Sequence, residues 1–88
     1  MLCELCQQEP ATSFHHLIPR TLHSNRWFKR NFTREQMQSG IEVCRQCHRS
    51  IHEFATEKEL GRHYYTKELL LGQPAVAKYV AWRQRRGR

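Results

Sequence analysis

The sequence predicts a small α+β domain that is held together by a bound metal ion. The chain has 88 residues, and folds of this size bury so little apolar surface that they usually carry a disulfide, a metal or a partner chain. Two Cys-x-x-Cys pairs lie far apart in the sequence. Short β-compatible stretches alternate with stretches that begin at helix-capping residues. We therefore expect one domain, residues 1–88, with a core at about 3–54.

The composition limits the classes of protein. The formal net charge is +7, which favours polyanionic partners such as nucleic acids. We expect a cytoplasmic protein with no membrane partner, because the first residues lack a signal-peptide pattern and no apolar run approaches the roughly 18 residues of a membrane span. All 8 acidic residues are glutamate. Metal sites built on aspartate are therefore excluded, and a catalytic ion must be held by histidine or glutamate.

The first part of the chain is predicted to hold one strand. Residues 12–18 form an apolar, β-compatible run. It stops at Pro19, because proline cannot donate to a sheet ladder. A basic and aromatic segment follows, from Arg20 to Phe32, and we assign no helix or strand to it.

A short helix and a second strand are predicted next. Thr33 and Gln36 have the spacing of a capping box, and Gly40 is expected to end this helix in a left-handed conformation. Residues 41–43 read as a short strand that leads into Cys44. The two strands are thus separated by a long connection.

The remainder is predicted to be helical. In a helix at 46–55, His48 and His52 are four residues apart and share a face. A C-terminal helical extension covers about 56–86 and begins with a second capping box. Its last helix has an apolar stripe that is expected to pack against the domain, with a dimer contact as the alternative. The stripe consists of Val76, Tyr79 and Val80.

Each Cys-x-x-Cys pair forms a knuckle that can present two thiolates to one tetrahedral ion. The knuckles are Cys3 with Cys6 and Cys44 with Cys47. Together they predict a closed structural zinc site, which would add binding free energy to folding. In a cytosolic chain such pairs bind metal more often than they form disulfides. The alternatives are redox pairs, reduced core cysteines, a partition into two zinc sites and a mixed set of cysteines with His48 or His52.

Four of the 6 histidines fall into two groups. His15 and His16 are adjacent on the first predicted strand and so point to opposite faces, which would allow one to hold an ion and the other to handle a proton. His15, His48 and His52 offer three imidazoles to one divalent ion and leave coordination positions open. The ion is expected to be Mn, Mg, Ni or Zn. The other two histidines are expected at the surface: His23 and His63.

These motifs together resemble the HNH nuclease family in its cysteine-rich zinc variant. The resemblance lies in the first knuckle, in His-His-Leu-Ile-Pro-Arg at 15–20 and in Cys-Arg-Gln-Cys-His-Arg-Ser-Ile-His at 44–52. It implies a ββα-metal (His-Me finger) core stapled by the four-cysteine zinc site, with extra C-terminal helices. Two short strands would form a hairpin with a long loop, and a helix would pack across them.

The resemblance also implies roles for the histidines. The first histidine of the family's pair is a metal ligand and the second is the general base, which implies these roles for His15 and His16. The helix supplies the remaining ligands, His48 and His52. A middle asparagine of the family usually steadies the loop that carries the base, and Ser39 stands in its place here. Substitutes for that asparagine are Ser39 itself, Asn31 or Gln36.

The function that the resemblance implies is metal-dependent hydrolysis of DNA phosphodiester bonds. A monomer would nick one strand, whereas a homodimer could cut both; duplex DNA is the expected substrate and RNA the alternative. The competing functions are a non-catalytic zinc module that binds nucleic acid and a zinc domain that contacts acidic proteins. Six arginines are expected to contact phosphates, with plain surface roles as the alternative: Arg20, Arg45, Arg49, Arg83, Arg85 and Arg86.

Overall fold

The computed structural model describes residues 1–86, and Gly87 and Arg88 lie outside it. Within the described residues the fold is α+β, with one two-stranded antiparallel sheet and six α-helices. Strand β1 is Ser13–His16 and strand β2 is Gly40–Val43. The register pairs Ser13 with Val43, Phe14 with Glu42, His15 with Ile41 and His16 with Gly40.

The connection between the strands is more structured than the sequence predicted. It contains a 3-10 helix at Arg20–Leu22, helix α1 at Arg26–Asn31 and helix α2 at Arg34–Gln38. Helix α1 begins at Asn25, whose side chain accepts hydrogen bonds from the first N–H groups of the helix. No helix is predicted there from the sequence, because a helix of six residues is too short for its apolar periodicity to be detected.

The expected left-handed conformation of Gly40 is wrong. Helix α2 has the predicted capping box of Thr33 and Gln36, but it ends at Ser39 in an extended conformation. No glycine in residues 1–86 has a positive φ. Gly40 instead begins β2, where a Cβ atom would lie 2.4 Å from the carbonyl oxygen of His15 and 2.5 Å from the ring of Phe14. Only glycine fits this close approach without displacing the ring or the backbone.

The other helices follow β2 directly. Helix α3 begins after Cys44, whose sulfur accepts the Cys47 N–H at 3.4 Å. The predicted capping box of Thr56 and Glu59 is confirmed at the start of α4. The bounds of these helices are Arg45–Phe54 for α3, Glu57–His63 for α4, Lys67–Leu71 for α5 and Pro74–Arg86 for α6.

The main core contains the four cysteines together with apolar residues from both strands and from α3, α4, α5 and α6. Val76 and Val80 of α6 are buried in this core and Tyr79 packs against it, so the predicted packing of the apolar stripe is confirmed. A second cluster, formed by Ile18, Phe28 and Met37, stabilises the connection between the strands. None of the helices within residues 1–86 has the length and apolar character needed to cross a membrane.

Candidate metal centres

The four cysteines meet at one buried point. Their sulfur atoms all lie within 4.8 Å of one another, and Cys6 Sγ is 3.9 Å from Cys44 Sγ. In a zinc tetrahedron, bonds of about 2.3 Å place the sulfurs about 3.8 Å apart. The four thiols are free rather than paired in disulfides. This cluster therefore fits a structural metal ion such as zinc.

The local backbone positions each knuckle. Gln7, directly after Cys6, has a φ of 58°, and its N–H donates to the Cys3 carbonyl at 3.0 Å. This turn brings the first two sulfurs together. Cys44 caps α3 and Cys47 lies in the first turn of that helix, which holds the other two sulfurs beside the sheet.

The thiols differ in the ease with which they lose a proton. Burial alone raises the pKa of Cys6, but hydrogen bonds from the backbone of Gln8 and Glu9 and from neighbouring cysteines lower it to about 7. Burial raises the pKa of Cys44 and of Cys47. Because zinc binds thiolates, it must displace the protons of these buried thiols.

Arg83 of α6 lies against the cysteine cluster. Its guanidinium donates a hydrogen bond to the Gln46 side chain and lies 3.8 Å from the Glu9 carboxylate. Burial lowers its pKa, but contact with the Cys6 thiol and the nearby Tyr79 and Cys44 raise it overall. Its Nε atom is buried without a hydrogen-bond partner. Arg83, for which the sequence predicts a phosphate contact, thus already contacts Glu9 and Gln46 in this structure.

A second cluster is formed by three histidines, one from β1 and two from α3. One ligand nitrogen from each of His15, His48 and His52 lies within 4.8 Å of the others. The ring centroids are 5.4 Å apart for His15 and His48, 5.5 Å for His15 and His52, and 5.2 Å for His48 and His52. The cysteines and the histidines form two separate groups, so the mixed set is not what the structure brings together.

His15 is the buried member of this cluster. It is 1% exposed, and both of its ring nitrogens are buried without a hydrogen-bond partner. A buried polar group without a hydrogen-bond partner lowers the free energy of unfolding by about 1–3 kcal/mol. Such groups in proteins are therefore usually bonded to another group, a water or an ion. Burial, followed by the charges of His48, His52 and His16, lowers the pKa of His15 to about 3. A neutral imidazole with a free lone pair is the form that binds a divalent metal.

His48 is oriented by a hydroxyl of β1. Its Nδ1 lies 3.2 Å from Ser13 Oγ, which in turn donates to the Val43 carbonyl at 3.1 Å. Burial, followed by the nearby His52 and His16, lowers the pKa of His48. His52 is exposed at the end of this face of α3. The sequence pattern did not identify Ser13, because its position depends on how the strand and the helix pack.

His16 is not a member of the three-histidine cluster, because alternation along a strand turns it to the other face of β1 from His15. It still lies close enough for its charge to act on His15 and His48. It is half-buried, and the edge of its ring meets the Phe14 ring at a centroid distance of 4.9 Å. Partial burial, followed by the charges of His23 and Arg20, lowers its pKa. The group is therefore neutral near pH 7 and can accept a proton.

His23 lies beside His16 rather than free at the surface. Its ring centroid is 6.0 Å from that of His16, and its Nε2 donates to the Ile18 carbonyl at 2.8 Å. The segment that follows His16 is thus fixed by a side chain from the 3-10 region. His63 is exposed, as expected.

Three residues were candidates to replace the family's middle asparagine, and two of them form hydrogen bonds within their own helices. Asn31 donates to the Trp27 carbonyl within α1, and Gln36 completes the capping box of α2. The hydroxyl of Ser39 donates to the Gln36 carbonyl, but its backbone oxygen accepts the Leu17 N–H at 3.2 Å. The loop after His16 is therefore held by the Ser39 backbone and the His23 side chain.

The other arginines that are expected from the sequence to contact phosphate lie on α3, on the 3-10 helix and on α6. Arg45 and Arg49 are exposed on α3, where they line an open groove of about 470 Å³ together with His48, His52 and Glu57. Arg20 is exposed and its charge acts on His16. In α6, Arg85 is exposed and the Arg86 guanidinium lies 5.0 Å from the centroid of the Trp82 ring.

No protein-family model, curated protein or solved structure matches this chain. Its function must therefore be inferred from the residues of the two centres.

Proposed function

We propose that this chain is a metal-dependent endonuclease of the HNH type that hydrolyses DNA phosphodiester bonds. One observation carries the proposal. Three histidines converge with the buried His15 nitrogens unpartnered, while the next residue, His16, lies on the other face of β1 with an accessible ring. This pair of roles, ion binding and proton transfer, is what phosphodiester hydrolysis requires.

The order of elements supports a ββα-metal core. Two strands are joined by a long connection and are followed at once by α3, which packs against β1. In this arrangement β1 supplies one imidazole and α3 supplies two. The cysteine cluster would hold zinc where the chain enters β1 and α3.

The three histidines would hold a divalent ion, with Mn, Mg, Ni and Zn as candidates. When bound, such an ion stabilises the negative charge that develops on the phosphate and on the leaving oxygen. The fit of these residues to an ion rests on His15, because a ligand would give its buried nitrogen the partner that it lacks.

His16 would act as the general base. Because its pKa is lowered, the neutral ring accepts a proton from a water molecule as the water oxygen bonds to phosphorus. The bond from phosphorus to the 3′ oxygen breaks, and that oxygen takes a proton from solvent. The products are a 5′ phosphate and a 3′ hydroxyl. Phe14 and His23, which contact the His16 ring and its loop, would hold the base in place.

The groove on α3 would bind the DNA backbone. Arg45 and Arg49 are one helical turn apart and line the groove with His48 and His52, so their guanidinium groups would contact phosphates that enter this groove. Contacts to phosphate do not depend directly on the base sequence of the DNA. They would position the strand rather than select a target.

Cleavage of a supercoiled plasmid with each of the candidate metals tests this proposal. His16→Ala is expected to lose most cleavage, by about 10²–10⁴-fold for a general base, while it retains both metals and DNA affinity. His63→Ala, which changes an exposed histidine, is the control and should cut like the wild type. A monomer gives nicked circles, and linear product at the earliest times indicates a dimer.

Two outcomes would reject the proposal. One is wild-type cleavage by His16→Ala. The other is a chain that binds one zinc and cuts with none of the metals, which is the result expected for a non-catalytic zinc module that binds nucleic acid.

A further inference from the structure

A chain of two hydrogen bonds connects His48 to the backbone of β2. His48 Nδ1 lies 3.2 Å from the Ser13 hydroxyl, and that hydroxyl lies 3.1 Å from the Val43 carbonyl oxygen. Thr12 N–H also donates to the Val43 carbonyl at 3.1 Å. The acceptor at the end of this chain is thus fixed by the sheet itself.

The directions of these bonds follow from the groups involved. A carbonyl oxygen only accepts, so the single hydroxyl hydrogen of Ser13 is donated to Val43. The Ser13 oxygen must then accept the other bond, and His48 Nδ1 must carry a hydrogen. In a neutral imidazole this leaves the lone pair on Nε2. The nitrogen of His48 that is free to bind an ion is therefore Nε2.

The strand register links this bond to the metal cluster. Ser13 and His15 are two residues apart on β1 and point to the same face. Ser13 is paired with Val43 and His15 with Ile41. The strand that places His15 in the cluster therefore also places the Ser13 hydroxyl next to Nδ1 of His48.

We propose that Ser13 is a positioning residue that selects the Nδ1–H tautomer of His48 and presents its Nε2 to the catalytic ion. The role rests on the proposed ion at His15, His48 and His52. Histidine ligands commonly donate their second ring N–H to an outer partner, which fixes the ring orientation and raises the basicity of the ligating nitrogen. Here that partner is a serine whose own hydrogen is held by a backbone carbonyl.

The tautomer can be read directly by long-range ¹H–¹⁵N NMR. In the protein with zinc at the cysteines and none at the histidines, at a pH where His48 is neutral, we expect the Nδ1–H form for His48. Ser13→Ala should convert His48 to a mixture of the two tautomers. Ser13→Thr keeps the hydroxyl on a residue that suits a strand and should restore the Nδ1–H form.

Metal affinity gives the second measurement. Zn²⁺ is titrated calorimetrically into protein that already holds one zinc per chain. Ser13→Ala should bind the second zinc about 10- to 100-fold more weakly than the wild type, and Ser13→Thr should bind it like the wild type. Ser24→Ala makes the same chemical change at an exposed position before α1 and should have no effect.

The results separate this role from the nuclease activity. Unchanged zinc affinity in Ser13→Ala, or a main Nε2–H tautomer of His48 in the wild type, would overturn the proposal for Ser13. A wild type that shows the expected tautomer and the expected zinc affinities but does not cut DNA supports the role of Ser13 and rejects the nuclease. If the wild type binds neither a second zinc nor any of the other candidate metals at the histidines, both proposals fail.

Discussion

At the scale of single residues, two adjacent histidines acquire different properties from the pleat of one short strand. His15 faces the interior, where burial keeps it neutral with a pKa of about 3. His16 faces outward with a pKa that is lowered but with a ring that remains accessible. The difference comes from the environment on each side of β1, since the two side chains are chemically identical.

Gly40 is expected to be required for the stability of the sheet, because it lies against the His15 backbone and the Phe14 ring of β1. In Gly40→Ala the new methyl group would collide with the His15 carbonyl and the Phe14 ring, so the free energy of unfolding should fall by about 1–3 kcal/mol. Chemical denaturation measures this loss. Gly72→Ala is the matched control, because its Cβ would come no closer than 3.4 Å to its neighbours and should leave stability unchanged or raise it by about 0.4–1 kcal/mol. Equal stability of the two variants would contradict the close approach.

The buried imidazole predicts a dependence of stability on pH. The ordinary pKa of histidine is 6.5 and that of folded His15 is about 3, so the unfolded chain binds more protons between these values. The free energy of unfolding should therefore fall as the pH drops below about 6.5, by at most about 1.4 kcal/mol per pH unit for one group. Melting temperatures of protein without metal at the histidines, measured from about pH 7.5 to 5.5, test this linkage.

His15→Leu removes the titrating group and replaces it with an apolar residue, so this variant should show a shallower loss of melting temperature on acidification. His63→Leu changes an exposed histidine and should keep the slope of the wild type. If His15→Leu and the wild type respond alike, His15 does not carry the pH dependence.

Much of the candidate site could be predicted because it depends on short spacings. The two knuckles and the pair His48 and His52 each span no more than five residues, so the sequence places their members close together without knowledge of the fold. Ser13 and His23 could not be identified in this way. Their contacts depend on the strand register and on the path of the chain after Pro19, and neither leaves a pattern in the sequence.

At the scale of the elements, α6 is connected to the cysteine cluster by more than apolar packing. Val76 and Val80 enter the core, and Arg83, two turns further than Val76, reaches both knuckles through Glu9 and Gln46. A four-thiolate zinc site carries net negative charge, since four thiolates exceed the charge of one Zn²⁺. A guanidinium beside Cys6 is suited to offset it.

Arg83→Gln is expected to weaken this connection. The variant loses the contact with Cys6 and a partly exposed ion pair, which solvent weakens, so the free energy of unfolding should fall by about 0.5–1.5 kcal/mol. Zinc should also pass more rapidly to a chromogenic chelator. Arg85→Gln alters an exposed arginine of the same helix and should change stability by less than about 0.5 kcal/mol. Identical rates of zinc release from the two variants would show that Arg83 does not support the centre.

Helices that could be predicted from the sequence begin with stronger capping patterns than the helix that could not. The helices at Thr33 and Thr56 start with reciprocal capping boxes, which are read directly from residue types. Helix α1 starts with a single Asn25 cap and has six residues, so its amphipathic pattern is too short to detect. Gly40 was misjudged because a glycine after a helix more often provides a left-handed cap than room for a ring from the opposite strand.

At the scale of the whole molecule, the cysteine cluster brings together elements that are remote in sequence. The cysteines belong to the same buried cluster as Ile51, Leu60 and Leu70, which come from α3, α4 and α5. Zinc at this point would close the chain between the two knuckles. Structural zinc contributes apparent binding free energies of about 10–16 kcal/mol, whereas whole domains have stabilities of about 5–15 kcal/mol. The ion would thus account for most of the stability.

Loss of the zinc is therefore expected to unfold the chain. Cys44→Ala should abolish the cooperative melting transition seen by far-UV circular dichroism and should lower the zinc content, and a strong chelator should do the same to the wild type. His48→Ala is the contrasting variant, because it should lose only the second metal and still melt cooperatively. A melting temperature of Cys44→Ala equal to that of the wild type would refute the structural role of zinc.

The four-residue register of β1 has a consequence for changes in chain length. An insertion of one residue between Phe14 and His15 would turn every later side chain of the strand to the other face, so His15 and His16 would exchange faces. The connection between the strands is itself structured, since His23, Phe28 and Met37 hold it in place. Ser24 is exposed between the 3-10 helix and α1, and doubling the length of a flexible loop costs only about 0.6 kcal/mol. Insertions that preserve the positions of both histidines therefore belong at this exposed turn.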